Sequence, residues 1–248
     1  MQTSKYPEHY RAPEPTSVPF KVPEPTGDYL LGDQYAREEL QQVDEPAINA
    51  MALAHKRYRE GFQKLRTAME ARDPNETEAA HLKSSKQIAD KWLKQAARQS
   101  DEARERAKSA LTAVKLDIRD KLQLDETPRA GEVRAVLRDM KPEERLQAVN
   151  QAIERGDSEV MAAVVNGSPL LSGVSDEDRD AMHEVFVRRH APELVQKQKA
   201  LELALEINSQ TNLEALENYS RIFDRGRMEG INRAAQKAQA ARAAVLED

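Results

Sequence analysis

Apolar residues along most of this chain recur at alternating steps of three and four, the spacing that lines one face of a helix. The clearest run is Ile48, Met51, His55, Tyr58, Phe62, Leu65 and Met69, bounded by Asp44-Glu45-Pro46 in front and Asp73-Pro74-Asn75 behind. Asp44-Glu45-Pro46 reads as an N-cap followed by a proline in the first turn, where its missing N–H leaves nothing unbonded. The residue before Pro74 is biased away from helix, so the run stops there. From residue 76 to 124 neither proline nor glycine occurs, which predicts one helix of about 70 Å at 1.5 Å per residue. Its seam is Ala89, Leu93, Ala96, Ser100, Ala103, Ala107, Ala110 and Val114, with Trp92, Leu111, Ile118 and Leu122 widening the apolar face. Small seam residues let helices approach closely, so residues 44–126 are expected to form a long antiparallel coiled-coil hairpin.

The pattern then shortens. Thr127-Pro128, Lys141-Pro142-Glu143-Glu144, Asp157-Ser158 and Ser175-Asp176-Glu177-Asp178 each place a cap or first-turn acid ahead of a short apolar run, and Gly156 and Asn166-Gly167 close two of them. Residues 127–191 are therefore expected to be a compact helical module. Its core is read as Leu137, Leu146, Val149, Ile153, Val160, Val164, Leu170, Leu171, Met182, Val185 and Phe186, with Ser168–Val174 as an apolar loop. Residues 192–248 return to long helix, with Leu194, Leu201 and Leu205 giving way to Asn208 and Asn212, a polar interruption that suggests a break or a register device. Leu216, Tyr219, Phe223, Gly226 and Gly230 continue one face, and the glycine pair suggests a close contact or a kink; the alanine-rich stretch 234–244 has little to pack with.

The first 43 residues follow a different rule. Six of the twelve prolines fall before residue 30, among them two copies of Pro-Glu-Pro-Thr at 13–16 and 23–26. Proline fixes φ and removes a donor, so this stretch is expected to be an extended arm rather than helix or central strand. Its partner-binding candidates are Pro13, Pro15, Pro23 and Pro25 together with the bulky groups Phe20, Tyr29, Leu30 and Leu31, which an unfolded strand can bury against something else.

Composition narrows the function classes. Hydrophobic residues make up 39% and aromatics 4% of the 248 residues, so the core must be thin and built from side-by-side helices. The absence of cysteine removes disulfides, thiolate metal sites and cysteine nucleophiles. There is no apolar leader in the N-terminal stretch and no run long enough to span a bilayer, so the expectation is a cytoplasmic protein with no membrane contact. Net charge is −5, unevenly spread: residues 91–121 carry nine basic against five acidic groups, and 142–217 carry seven against fifteen. A basic helix beside an acidic segment holds subunits or halves of a subunit together, and this reading is preferred to nucleic-acid binding because Asp101, Glu102, Glu105 and Asp117 interrupt the basic run.

No glycine-rich phosphate loop, nucleophile elbow or calcium loop occurs, and His183 and His190 stand two turns apart, too far for a helical zinc pair. No catalytic residue, cofactor or metal is therefore expected, and His55 in the seam is read as a core histidine. Base-stacking aromatics are missing from the basic helix apart from Trp92, which leaves weak phosphate contact as the most it offers DNA. The segments Lys-Pro-Glu-Glu-Arg-Leu, Gly-Asp-Ser-Glu-Val-Met-Ala-Ala-Val, Ser-Pro-Leu-Leu-Ser-Gly-Val-Ser-Asp-Glu and Arg-Arg-His-Ala-Pro-Glu-Leu, within 140–194, resemble uncharacterised α-helical proteins encoded in tailed-bacteriophage structural gene clusters. That resemblance implies a non-enzymatic virion component, head or head–tail associated, present in the virion after cytoplasmic assembly. Such a protein would be homo-oligomeric and would tether neighbouring subunits through its arm. The alternative is a scaffold-like factor that binds DNA through 91–121.

Overall fold

The computed structural model of the chain describes residues 21–244, and all regular structure among them is helical, as the periodicity requires. Two short helices, α1 (Asp28–Leu31) and α2 (Glu38–Gln41), flank a 3-10 turn at Gln34–Ala36 and lead into the long helices α3 (Pro46–Glu70) and α4 (Glu78–Lys121). Five short helices follow: α5 (Ala130–Asp139), α6 (Pro142–Arg155), α7 (Ser158–Val165), α8 (Pro169–Ser172) and α9 (Asp176–His190). The chain then returns as α10 (Pro192–Ile222) and ends in α11 (Arg225–Ala244).

Helix α3 buries the predicted stripe in full, from Ile48 to Met69. Its cap is Glu45, with Pro46 in the first turn as expected. One Glu45 oxygen accepts from the Ala47 N–H at 3.3 Å while the other pairs with Lys197 Nζ at 2.6 Å, so the same carboxylate starts α3 and ties it to α10. Helix α4 starts on Thr77, whose hydroxyl accepts from the Ala80 N–H at 3.2 Å, and ends with Arg119 and Lys121 at the negative end of its dipole. The two helices run antiparallel. Across the turn His81 Nε2 meets the Met69 carbonyl at 3.0 Å, and further down the Trp92 ring stands edge-on to Phe62 at 5.0 Å and to Tyr58 at 6.4 Å. Gly61 permits this approach, because a Cβ there would lie 2.3 Å from the indole.

Helix α10 covers the other side of the α4 seam, antiparallel to it. Lys121 pairs with Glu193 at one end, Ser100 with Asn208 in the middle, and Lys86 with Tyr219 at 2.9 Å at the other. The body is thus three helices, α3 and α10 running one way and α4 the other. Its buried α10 face is Ala200, Leu201, Ala204, Ile207, Asn208, Thr211, Ala215, Asn218 and Ile222; of the expected stripe Leu201 and Phe223 are inside, while Leu216 is 56% exposed. The asparagines do not break the helix. Gly226 and Gly230 make no close backbone contact, the turn between α10 and α11 falling instead at Phe223-Asp224.

The apolar interior divides in two, one part spanning the short-helix module and the adjoining body, the other lying near the α3–α4 turn. Between them sits a polar layer: Ser100 Oγ receives a hydrogen bond from Asn208 Nδ2 at 2.7 Å and donates to Asn212 Oδ1 at 3.2 Å, with His55 and Thr211 buried at the same level.

The module is closed as much by carbonyl-directed side chains as by apolar ones. Arg145 donates from Nε to the Leu137 carbonyl at 2.7 Å and from Nη2 to those of Met140 at 2.9 Å and Arg138 at 3.2 Å, and it also reaches the Gly173 carbonyl. Buried Arg134 donates to the Ala163 carbonyl at 3.1 Å and pairs with Glu126. Asp157, Ser175 and Gly156 cap as expected. Four expected core residues are outside: Leu146 at 49%, Leu170 at 85%, Leu171 at 45% and Val185 at 49% exposure. In the 168–174 loop the chain makes a helical turn that points Ser172 and Val174 inward instead of the leucines, and α9 buries Met182, Phe186 and Val187, a face that leaves Val185 out.

Candidate interaction surfaces

The proline-rich arm departs most from expectation. Pro13, Pro15 and Phe20 lie outside the described residues. From Val22 onward the chain is a strap laid between α3 and α10 of its own body, and past Pro25, where no proline forbids it, the strap coils into α1, a 3-10 turn and α2 instead of staying extended to residue 43. Backbone recognition holds it. The Thr26 N–H donates to Asn218 Oδ1 at 2.8 Å, and Asn218 Nδ2 returns a bond to the Thr26 carbonyl at 2.7 Å, as a neighbouring strand would. Arg221 binds the Thr26 hydroxyl, and Arg66 pairs with Glu24 at 3.2 Å, so the second Pro-Glu-Pro-Thr copy is gripped at its Glu and its Thr.

Further along, the Leu30 N–H donates to Glu214 Oε2 at 2.7 Å, and the Tyr29 carbonyl accepts from His55 Nε2 at 2.7 Å and Thr211 Oγ1 at 3.3 Å. The strap therefore completes the polar layer. Gly27, at φ 111°, is required beside Glu214, whose carboxylate would lie 2.3 Å from a Cβ. Leu30, Tyr35 and Leu40 drop into the body, and the Tyr35 hydroxyl donates to the Ala204 carbonyl at 3.1 Å. Of the expected partner-binding residues, Leu30 is fully buried within its own chain, Tyr29, Pro23 and Pro25 are half-buried, and Leu31 is 45% exposed.

Burial sets the ionisation of this region. It pushes the Tyr35 phenol up and, with help from Asp101, the Tyr58 phenol up to about 12. It lowers His55 below the ordinary imidazole range despite the Tyr29 carbonyl, and Arg59 adds to the shift.

At the end of the body that meets the short-helix module, a cleft of about 530 Å³ opens between α4, α7, α9 and α10. Its floor is Ile118, Leu124, Val187 and Val195. Lys115 and Lys199 stand at its mouth, and neither makes an ion pair among the described residues. The other charged groups around it are engaged: Arg119 with Asp125 at 2.5 Å, Glu184 with Arg188, and Glu202 with Gln198 at 2.9 Å. His183 also lines the cleft, its pKa lowered by burial. Sequence reading passed over this cleft because its walls come from four separated elements.

On the exposed side of α4, several of the basic groups that suggested phosphate contact are paired along the helix or with its neighbours: Arg98 with Glu102 at 3.0 Å, Lys108 with Glu105 at 2.7 Å, and Lys121 with Glu193. Among the described residues no cluster of His, Asp or Glu is arranged to hold a metal ion, and no helix is long and apolar enough to cross a membrane. His190 instead stacks near Phe186 and meets the Ile153 carbonyl at 2.7 Å. No family model, curated protein or solved structure matches the chain.

Proposed function

We propose that this chain is a non-enzymatic structural protein of an assembly, a component of a tailed-bacteriophage particle associated with its head or head–tail region. One observation carries the assembly role: every residue of α11 from Asn232 to Ala243 is exposed. An isolated helix of that length is marginal in water, so a sequence that maintains it without packing calls for a surface supplied by another molecule. Large apolar groups along the body, Ile88 at 63% and Leu116 at 55% exposure among them, are in keeping with further contacts. The phage setting rests on the sequence resemblance alone.

The tether first assigned to the whole arm is reassigned to residues 1–20, because residues 22–43 are engaged by their own body. Mass spectrometry of purified particles made by the genome that encodes the chain tests this role. A fixed stoichiometry in the particle is expected, and its absence from intact particles overturns the proposal. Within 91–121, Arg98, Lys108, Arg119 and Lys121 are engaged in ion pairs, while Lys91, Lys94, Arg104, Arg106 and Lys115 make none among the described residues, and a salt titration decides DNA binding: no binding to duplex at low salt removes it.

A further inference from the structure

We propose that the cleft beside Lys115 and Lys199 binds the Val245-Leu246-Glu247-Asp248 segment of a second copy of this chain, joining molecules head to tail. This deepens the assembly reading and rests on it. The chemistry is complementary on both counts. The cleft has an apolar floor of Ile118, Leu124, Val187 and Val195 and two lysines at its mouth with no ion pair among the described residues. The segment offers two aliphatic side chains followed by two carboxylates, in that order. Of the acids lining the cleft, Glu184 is paired with Arg188, while Glu202 accepts from the neutral Gln198 and keeps its charge, so two lysines without an ion pair face one uncompensated carboxylate and an incoming acid still meets net positive charge.

Geometry makes the contact intermolecular. Helix α11 is anchored at the far end of the body, where Arg227 pairs with Glu78 at 2.7 Å and Met228 is buried. From Glu78 to Ile118 the single helix α4 rises about 60 Å, at 1.5 Å per residue. From Arg227, helix to Ala244 and four fully extended residues reach about 40 Å at most. A molecule's own segment therefore stops short of its own cleft. The cleft of one copy would take a different part of the next, so the contact is heterologous, and repetition yields a ring if the rotation closes or a filament if it does not.

Sedimentation velocity of the full chain over a range of concentrations tests this with two charge reversals. Lys115→Glu with Lys199→Glu changes only exposed groups of the cleft, and Glu247→Lys with Asp248→Lys changes only the segment. Each alone is expected to weaken self-association about tenfold or more, because attraction becomes repulsion. An equimolar mixture of the two variants is expected to restore it, since each copy then finds a complementary partner. Circular dichroism checks the fold. Should the cleft variant misfold, the segment variant decides by itself, since it leaves every described residue unchanged.

A wild-type chain that stays monomeric throughout overturns the inference while leaving the particle experiment to decide the broader reading. Association that survives both reversals unchanged overturns the cleft and keeps the assembly role. A mixture that fails to recover also overturns it.

Discussion

At the scale of single residues, the chain relies on polar side chains aimed at backbone. Arg145 takes three or more carbonyls from the end of α5 and from the loop after α8, groups that a helix C-terminus otherwise leaves unbonded. Arg145→Ala is expected to destabilise the protein by about 2–4 kcal/mol, since hydrogen bonds from a charged donor are worth roughly 1.5–3 kcal/mol and several are lost together. Arg145→Lys should recover little of this, because an ammonium cannot reproduce the planar fork. Urea unfolding measures both, and a lysine variant as stable as wild type would show that charge alone suffices. Histidine sets the pH response. His55 and His183 are held neutral by burial, so their folded pKa values lie below the unfolded value of about 6.5. As pH falls, the unfolded chain takes up these protons first; the stabilising contribution is complete above about pH 6.5 and is lost progressively below it. Ordinary carboxylates still carry charge down to about pH 5, so the loss in that window belongs to histidine. The urea midpoint should therefore fall between pH 7 and pH 5, and His55→Gln, which keeps a donor for the Tyr29 carbonyl, should show a shallower fall. An identical slope in that variant would mean that His55 does not titrate with unfolding.

At the scale of elements, what could be read from the sequence depended on how each element is held. The α3 and α4 seams were legible because burial against a neighbouring helix imposes a 3.6-residue period, and every residue of the α3 stripe is inside. The strap was not. Residues 21–27 carry no regular structure, but what binds the strap is Asn218 and Glu214 acting on main-chain atoms and Arg221 on the Thr26 hydroxyl, roughly 190 residues further along the chain. Such contacts leave no period in either segment. Leu30 is the apolar keystone of the strap, and Leu30→Ala is expected to cost about 2–4 kcal/mol by the removal of a fully buried leucine. Asn218→Ala should cost less, and the double variant should cost less than the sum if both act through one docked strap. Strict additivity in that cycle would show that the two grip independent segments. The polar layer was misread for a related reason. Asn208 and Asn212 lower the apolar character of α10, which in sequence resembles a break; in the fold they meet Ser100 across the interface and the helix continues. Asn208→Ala takes a donor from Ser100 and an acceptor from Asn212 and is expected to destabilise by about 1–3 kcal/mol, whereas replacing all three by apolar groups, Asn208→Leu with Ser100→Ala and Asn212→Leu, leaves none of them unpartnered and should be close to neutral. If the triple change costs as much as the single one, packing volume rather than hydrogen bonding governs the layer.

At the scale of the whole molecule, stability and association reside in different places. The three-helix body, strap and module hold both apolar clusters and the polar layer between them, while among the described residues α11 adds Arg227, Met228 and Ile231 to these contacts before its exposed run begins. Exposed helix contributes little to a folding equilibrium, since it buries almost no apolar area and its own hydrogen bonds exchange nearly evenly with water. Removal of residues 232–248 is therefore expected to leave the thermal midpoint of the monomer within about 2 °C of the full chain, against the 2–4 °C per kcal/mol expected for a protein of this size. The same truncation removes the acidic segment proposed to reach the next molecule, so its self-association should fall at unchanged monomer stability. Calorimetry at a concentration where the full chain is monomeric separates the two effects. A large drop in midpoint there would place α11 within the folding core, and its exposure could then no longer be taken as a surface kept for a partner.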